Sequence, residues 1–190
     1  MRRLAALFAL AAALALLPAQ AASAETLKLT AGVFPTEQLT ALSSSDDPFA
    51  VGGGTTGPVE GEVGGVHFAF SGHCKSATGV CEPGSGMASG YAVVSDPVRG
   101  KAQGHVCAME VVGPLPAPFV GNFAGIGVVV EKGSGFLGSF PYLVVEAVDS
   151  GEGPGSLPDL FAARPFTACV TGQKDPIFES VVQGNIVVKP

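Results

Sequence analysis

Four cysteines, three histidines and sixteen acidic residues are the groups in this 190-residue chain with the most chemistry to offer. Cys74 and Cys81 stand near His67 and His73, a set of zinc-binding types, and His105 with Cys107 at i and i+2 would suit a small metal site or an activated thiol. Neither spacing is that of a zinc finger or ribbon. In an exported chain, moreover, oxidation competes for the thiols, so disulfides are expected before metal. Four cysteines allow three pairings, and sequence does not decide among them. The expected pairs are Cys74 with Cys81, which bracket a small polar loop, and Cys107 with Cys169, which lie on two regular strands. No metal ligand, cofactor-binding residue or catalytic residue is assigned.

The carboxylates offer less. Glu60 and Glu62 share a strand face, and Glu110, Glu131 and Glu146 fall inside predicted strands, where a solvated sheet face accounts for most of them. Glu146 differs because Val144 and Val148 flank it; buried there, it would need a partner such as Arg164. The run Asp149-Ser150-Gly151-Glu152-Gly153 has oxygen ligands for calcium but lacks D-x-D-x-D-G spacing, and a plain turn is the better reading. G-x-S-x-G is absent; Gly84-Ser85-Gly86 and Gly133-Ser134-Gly135 are turns. A phosphate loop is also missing, and Gly133 to Gly138, whose glycines fall at G-x-G-x-x-G spacing, is read as a turn. Without Trp and with two Tyr, a stacking groove for carbohydrate is hard to build.

The elements that must hold these residues read as strands. Tyr142 to Phe161 organises the chain: the apolar run Leu143 to Val148 is stopped by Asp149-Ser150-Gly151 and a Gly/Pro loop, which predicts a central strand buried on both sides. Ile177 to Val188 is a second such run, expected to supply core. Leu143, Val145, Phe161, Ile186 and Val188 are the core residues named from these patterns. Twenty-seven glycines, fifteen prolines and valine-rich segments broken every eight to twelve positions make an all-β barrel or sandwich, antiparallel and disulfide-stapled.

In order, Arg2-Arg3, an uncharged apolar run from Leu4 to Leu17 and Ala22-Ser23-Ala24 read as a signal peptide over residues 1–24. Residues 25–50 read as a flexible leader, with Gly52-Gly53-Gly54 as further punctuation, and 51–190 as one β domain. Val66, Phe68 and Phe70 share one face of a first strand; Met87 to Ser95 and Lys101 to Val112 follow. In Phe119 to Lys132, Gly121, Gly125 and Gly127 mark bends or places where another backbone comes close. The turn Gly133 to Gly138 exposes Phe136 and Leu137 unless it folds back, and Asp159 to Thr171 is a strand interrupted by Pro165, hence at an edge or bulge.

The series Phe68-Ala69-Phe70, Gly104-His105-Val106-Cys107, Val145 to Gly155, Pro158-Asp159-Leu160-Phe161 and Gly184 to Val188 resembles the post-COAP-type domains, small secreted bacterial all-β domains. The resemblance spans about Val51 to Lys189. Ser150 and Gln183 depart from its motifs, as does Pro165. It implies an all-β fold and no established activity, so no functional residue is carried over.

Composition narrows the partners. The formal net charge is −6, and it becomes more negative once Arg2 and Arg3 leave with the signal. The remaining cations are scattered singly, so nucleic acid and anionic membranes are poor partners for the mature form. The expectation is a secreted, extracellular, non-catalytic module that meets a protein through the Phe136–Leu137 turn or a sheet edge. The rival is an enzyme with a pocket inside a small barrel, using His67 or His105 with Glu110 or Glu146. A cavity lined by His and carboxylate would favour the second, and a filled core the first.

Overall fold

The computed structural model describes residues 47–58, 65–115, 120–152, 156–172 and 176–190. The residues read as a signal peptide, nearly all of those read as a leader, and Glu60 and Glu62 lie outside them. Among the described residues, alternation of apolar and small or polar residues produces nine strands: β1 (Phe49–Thr56), β2 (His67–Cys74), β3 (Val80–Cys81), β4 (Ala88–Asp96), β5 (Gly100–Val112), β6 (Asn122–Ser134), β7 (Tyr142–Asp149), β8 (Leu160–Phe166) and β9 (Glu179–Lys189). Leaving β3 aside, each strand pairs antiparallel with its neighbours in the chain, β1 pairs with β9, and the sheet closes on itself as an eight-stranded up-and-down barrel. Of the barrel and sandwich expected, the molecule is a barrel. β3 is the extra strand: it pairs with Met109 and Glu110 of β5, beyond the point where β4 leaves that edge at Tyr91↔His105.

The barrel is filled with side chains. Phe68 lies on Phe161 with ring centroids 4.0 Å apart and planes 9° from parallel, and Phe70 stands 6.4 Å from Phe161. Met109, Ile126, Val128, Leu143, Val145 and Ile186 complete the buried cluster. All five residues named as core from the sequence are buried. Leu143 to Val148 are buried at every position, as a strand covered on both sides must be.

Four expectations are corrected. Gly52-Gly53-Gly54 is not a flexible spacer but the middle of β1, paired on one side with Ala69 and its neighbours and on the other with Asn185 and its neighbours. The reason is volume: a Cβ on Gly52 would come within 2.8 Å of the Phe70 ring, so a large inward residue on β2 is matched by none on β1. Phe136 and Leu137 do not share an environment. Residues Gly135–Gly138 form one helical turn, α1, whose Leu137 is buried in the core cluster and whose Phe136 is 55% exposed beside Phe140. The run Ile177 to Val188 supplies less core than expected, because only its last part faces inward: Ile177 and Val182 are 67% and 66% exposed. Finally, the strand expected over 159–171 ends at Phe166, and Thr167 to Gly172 leave the sheet.

Pro165 sits where an edge is available. β8 pairs with β7 along its whole length but with β9 only at Leu160↔Ser180 and Phe161↔Glu179, so the β8–β9 seam is short.

Candidate functional site

Cys74 and Cys81 are bonded and fully buried, tying β3 to the end of β2; Cys107 and Cys169 are bonded and partly exposed. Such bridges are compatible with an oxidising environment. Cys107 is the surplus residue of a β-bulge: Val106 pairs with Val128 and Ala108 with Gly127, leaving Cys107 out of the ladder. Its disulfide holds Thr167 to Gly172 as a strap across the outer face of β6. A Cβ on Gly125 would lie 1.8 Å from the Thr171 carbonyl oxygen, and one on Gly127 would lie 2.6 Å from that of Val170. This is the close backbone approach that the two glycines foretold.

Under the strap, Glu110 of β5, Gly125 of β6 and Glu146 of β7 form one row across three strands. Thr171 Oγ1 donates to Glu110 Oε2 at 3.2 Å. Glu146 is 2% exposed, and a Cβ on Gly172 would stand 3.8 Å from its Oε1. Register places Arg164 opposite Val144 and Ala162 opposite Glu146, so Arg164 occupies the diagonal position on Glu146's own face. Beside the strap lies an open groove of about 280 Å³ lined by Cys81, Glu82, Pro83, Glu110, Cys169 and Thr171, among others.

The two aspartates that bracket the loop after β7 accept from backbone amides. Asp159 accepts from Ser150 N at 3.0 Å and Ile186 N at 2.8 Å, while Asp149 accepts from Gly151 N at 2.9 Å and Val188 N at 3.0 Å. Glu152 accepts from the Asn185 amide at 3.0 Å. Ile186 and Val188 thus find, in two aspartates, the acceptors that β8 does not supply along that stretch of the seam. Burial pushes the Asp159 carboxyl above the usual range, against the two backbone donors and helped by the nearby charges of Asp149 and Glu152. Asp149 and Glu152 thus fasten the start of this loop to β9, while Gly153 lies outside the described residues.

A second polar network closes the other part of the seam. Arg99, from the β4–β5 turn, pairs with Asp96 through Nε, donates to the Ala163 carbonyl at 3.4 Å and lies 3.7 Å from Glu179 Oε1. Thr56 Oγ1 donates to Glu179 Oε2 and accepts from Val66 N at 2.9 Å. Burial of Asp96 opposes its charge, but hydrogen bonds from Arg99 and from Val98 N, with the guanidinium's charge, outweigh it and hold the carboxyl below the usual range. Sequence reading singled out neither Arg99 nor Thr56; the Asp-Pro-x-Arg turn was the available signal.

The histidines point outward. His105 Nδ1 is 2.8 Å from Glu131 Oε1 on the open face of β5 and β6, with the Tyr91 ring edge-on at 5.3 Å, and His67 Nδ1 is 3.0 Å from Thr55 Oγ1. His73 lies beside the Phe49 ring at 6.1 Å. Among the described residues no group of three or more His, Cys, Asp or Glu is placed to hold a metal ion. Ser134 ends β6 and stands before a single helical turn, outside any G-x-S-x-G sequence, and Ser85 Oγ donates to the Glu82 carbonyl. Compared with protein-family models, curated proteins and solved structures, the chain matches none.

Proposed function

We propose that this chain is an exported, non-catalytic β-barrel module that acts by contact with another protein. The observation that supports it is the filled interior: the Phe68–Phe161 stack and its neighbours occupy the space in which a barrel enzyme or a ligand carrier keeps its pocket. The remaining chemistry is consistent with this. Asp149 and Asp159 serve backbone amides, and His105 and His67 face solvent. Export is supported by the Arg2-Arg3 and apolar leader pattern and by two disulfides. The contact surface on this reading is the turn that presents Phe136 against Phe140.

The test is a pull-down from culture supernatant with the oxidised mature chain as bait, read against a Phe136→Ala bait of unchanged melting temperature. A partner retained by the first and lost by the second is the expected result. Parallel assays with ester, peptide, glycoside and phosphoester substrates should show no turnover. Turnover that disappears in His105→Ala would overturn the reading in favour of an enzyme.

A further inference from the structure

The two disulfides differ in what they hold and in how they are reached. Cys81 and Cys169 both border the open groove beside Glu82 and Pro83, but Cys74 and Cys81 are fully buried, whereas Cys107 and Cys169 are partly exposed. The short bridge fastens β3 into the sheet. The long one fastens something outside it, because Cys107 is the unpaired residue of a bulge and Cys169 belongs to a strap that joins no ladder. The β5–β6 ladder runs from Lys101↔Ser134 to Val112↔Phe123 without help from the sulfurs.

We propose that Cys107–Cys169 is a thiol–disulfide exchange site for a dithiol, and that its opening lifts the strap from the outer face of β6 and β7 while the barrel stays closed. One thiolate of the dithiol attacks Cys169 Sγ from the groove, the Cys107–Cys169 bond breaks, and Cys107 leaves as a thiolate. The second thiol then attacks the mixed disulfide and expels Cys169. The dithiol ends as a disulfide, the two cysteines are reduced, and the two protons come from the dithiol. The Thr171 to Glu110 hydrogen bond and the packing on Gly125 and Gly127, which the tether holds in place, are released as the strap lifts. It lies close to Glu146, whose carboxylate becomes accessible to solvent when it lifts.

Oxidised protein titrated with dithiothreitol, quenched with N-ethylmaleimide and mapped by mass spectrometry reads the exchange directly. Cys107 and Cys169 should label at roughly a tenth of the reductant concentration that labels Cys74 and Cys81, given the thiolate access each pair allows. Carbodiimide amidation of the same samples reads the strap. Glu146 should be modified only after Cys107–Cys169 is reduced, whereas exposed Glu131 is modified throughout. The variant Cys107→Ser/Cys169→Ser should show the Glu146 reactivity without reductant, with the protected amides of β1 and β2 unchanged in hydrogen exchange. Simultaneous labelling of all four cysteines, or earlier labelling of Cys74 and Cys81, refutes the exchange site. A Glu146 that stays protected in the reduced protein and in the double variant refutes the strap, and loss of β1 and β2 protection refutes the independence of the barrel.

Discussion

Replacing Phe161 by Ala removes the ring at the centre of the barrel. That ring is 1% exposed, stacks on Phe68 at 4.0 Å, stands 6.4 Å from Phe70, and belongs to a strand held by Ala147 on one side and Glu179 on the other. Two losses add: the transfer free energy of a large aromatic, and the cavity left against Phe68 and Phe70, neighbours on β2 whose rings lie 6.1 Å apart. Together they cost about 3–5 kcal/mol. In a domain of this size 1 kcal/mol moves Tm by roughly 3 °C, so the variant should melt roughly 10 °C or more below wild type. Circular dichroism melts of oxidised protein at neutral pH measure this, with Phe136→Ala as the surface control, expected within about 0.5 kcal/mol of wild type. A Phe161→Ala protein melting within a degree or two of wild type would show that the aromatic stack is not the packed centre described above, and the filled interior would fall with it.

Acid should act through Asp96. Its carboxyl is held below the unfolded range, so its stabilising share is complete above the unfolded value, near 3.8, and is lost as pH falls through the folded value. Denaturant midpoints of wild type and Asp96→Asn should therefore converge in strong acid, and a gap that does not change with pH would contradict this. Asp159 works in the opposite sense: its folded value is raised, so its share of stability is greatest when protonated and declines as pH rises through that value. Asp159→Ala leaves the Ser150 and Ile186 amides without their acceptor and should cost about 1–3 kcal/mol, with faster hydrogen exchange at Ile186 as the site-specific sign. Gly125→Ala puts a methyl 1.8 Å from the Thr171 carbonyl oxygen and should cost about 1–3 kcal/mol, while Gly53→Ala, whose nearest neighbour is 3.6 Å away, should stay within about 0.5 kcal/mol; equal melting of the two variants would refute the placement of the strap.

Local pattern carried the strands because pattern is what makes them. Val66, Phe68 and Phe70 alternate with residues that face out, and the unbroken run Leu143 to Val148 has no polar side to leave uncovered. Gly125 and Gly127 were legible as close approaches because a residue without a side chain inside a valine-rich strand asks what occupies its place. What approaches was not legible, since it lies some forty-five residues away and is brought there by a disulfide and a register. The same holds for Gly52. A glycine triplet reads as a spacer until the Phe70 ring that fills its volume is known. Arg99 reads from sequence as part of a turn with Asp96 and Pro97 and no more; its role comes from Ala163 and Glu179, which the closure of the barrel sets before it. Glu146 lay between these cases, its valine neighbours announcing burial without saying what covers it.

The pairing of Phe49 with Lys189 has a kinetic meaning. A meander can zip from hairpin to hairpin with short loop closures, but the ring of hydrogen bonds is complete only when the last strand finds the first, which is the largest sequence separation in the ladder. Contacts of that range slow folding and form late. Until they form, β1 and β8 present open edges, and edges are where chains add to other chains. A chain truncated before β9 should therefore fail by self-association rather than fold as a smaller barrel. Conversely, two ends that meet side by side allow Lys189 to be joined to Phe49 and new termini to be opened at a surface turn such as that between β4 and β5, which turns the slowest contact into a local one.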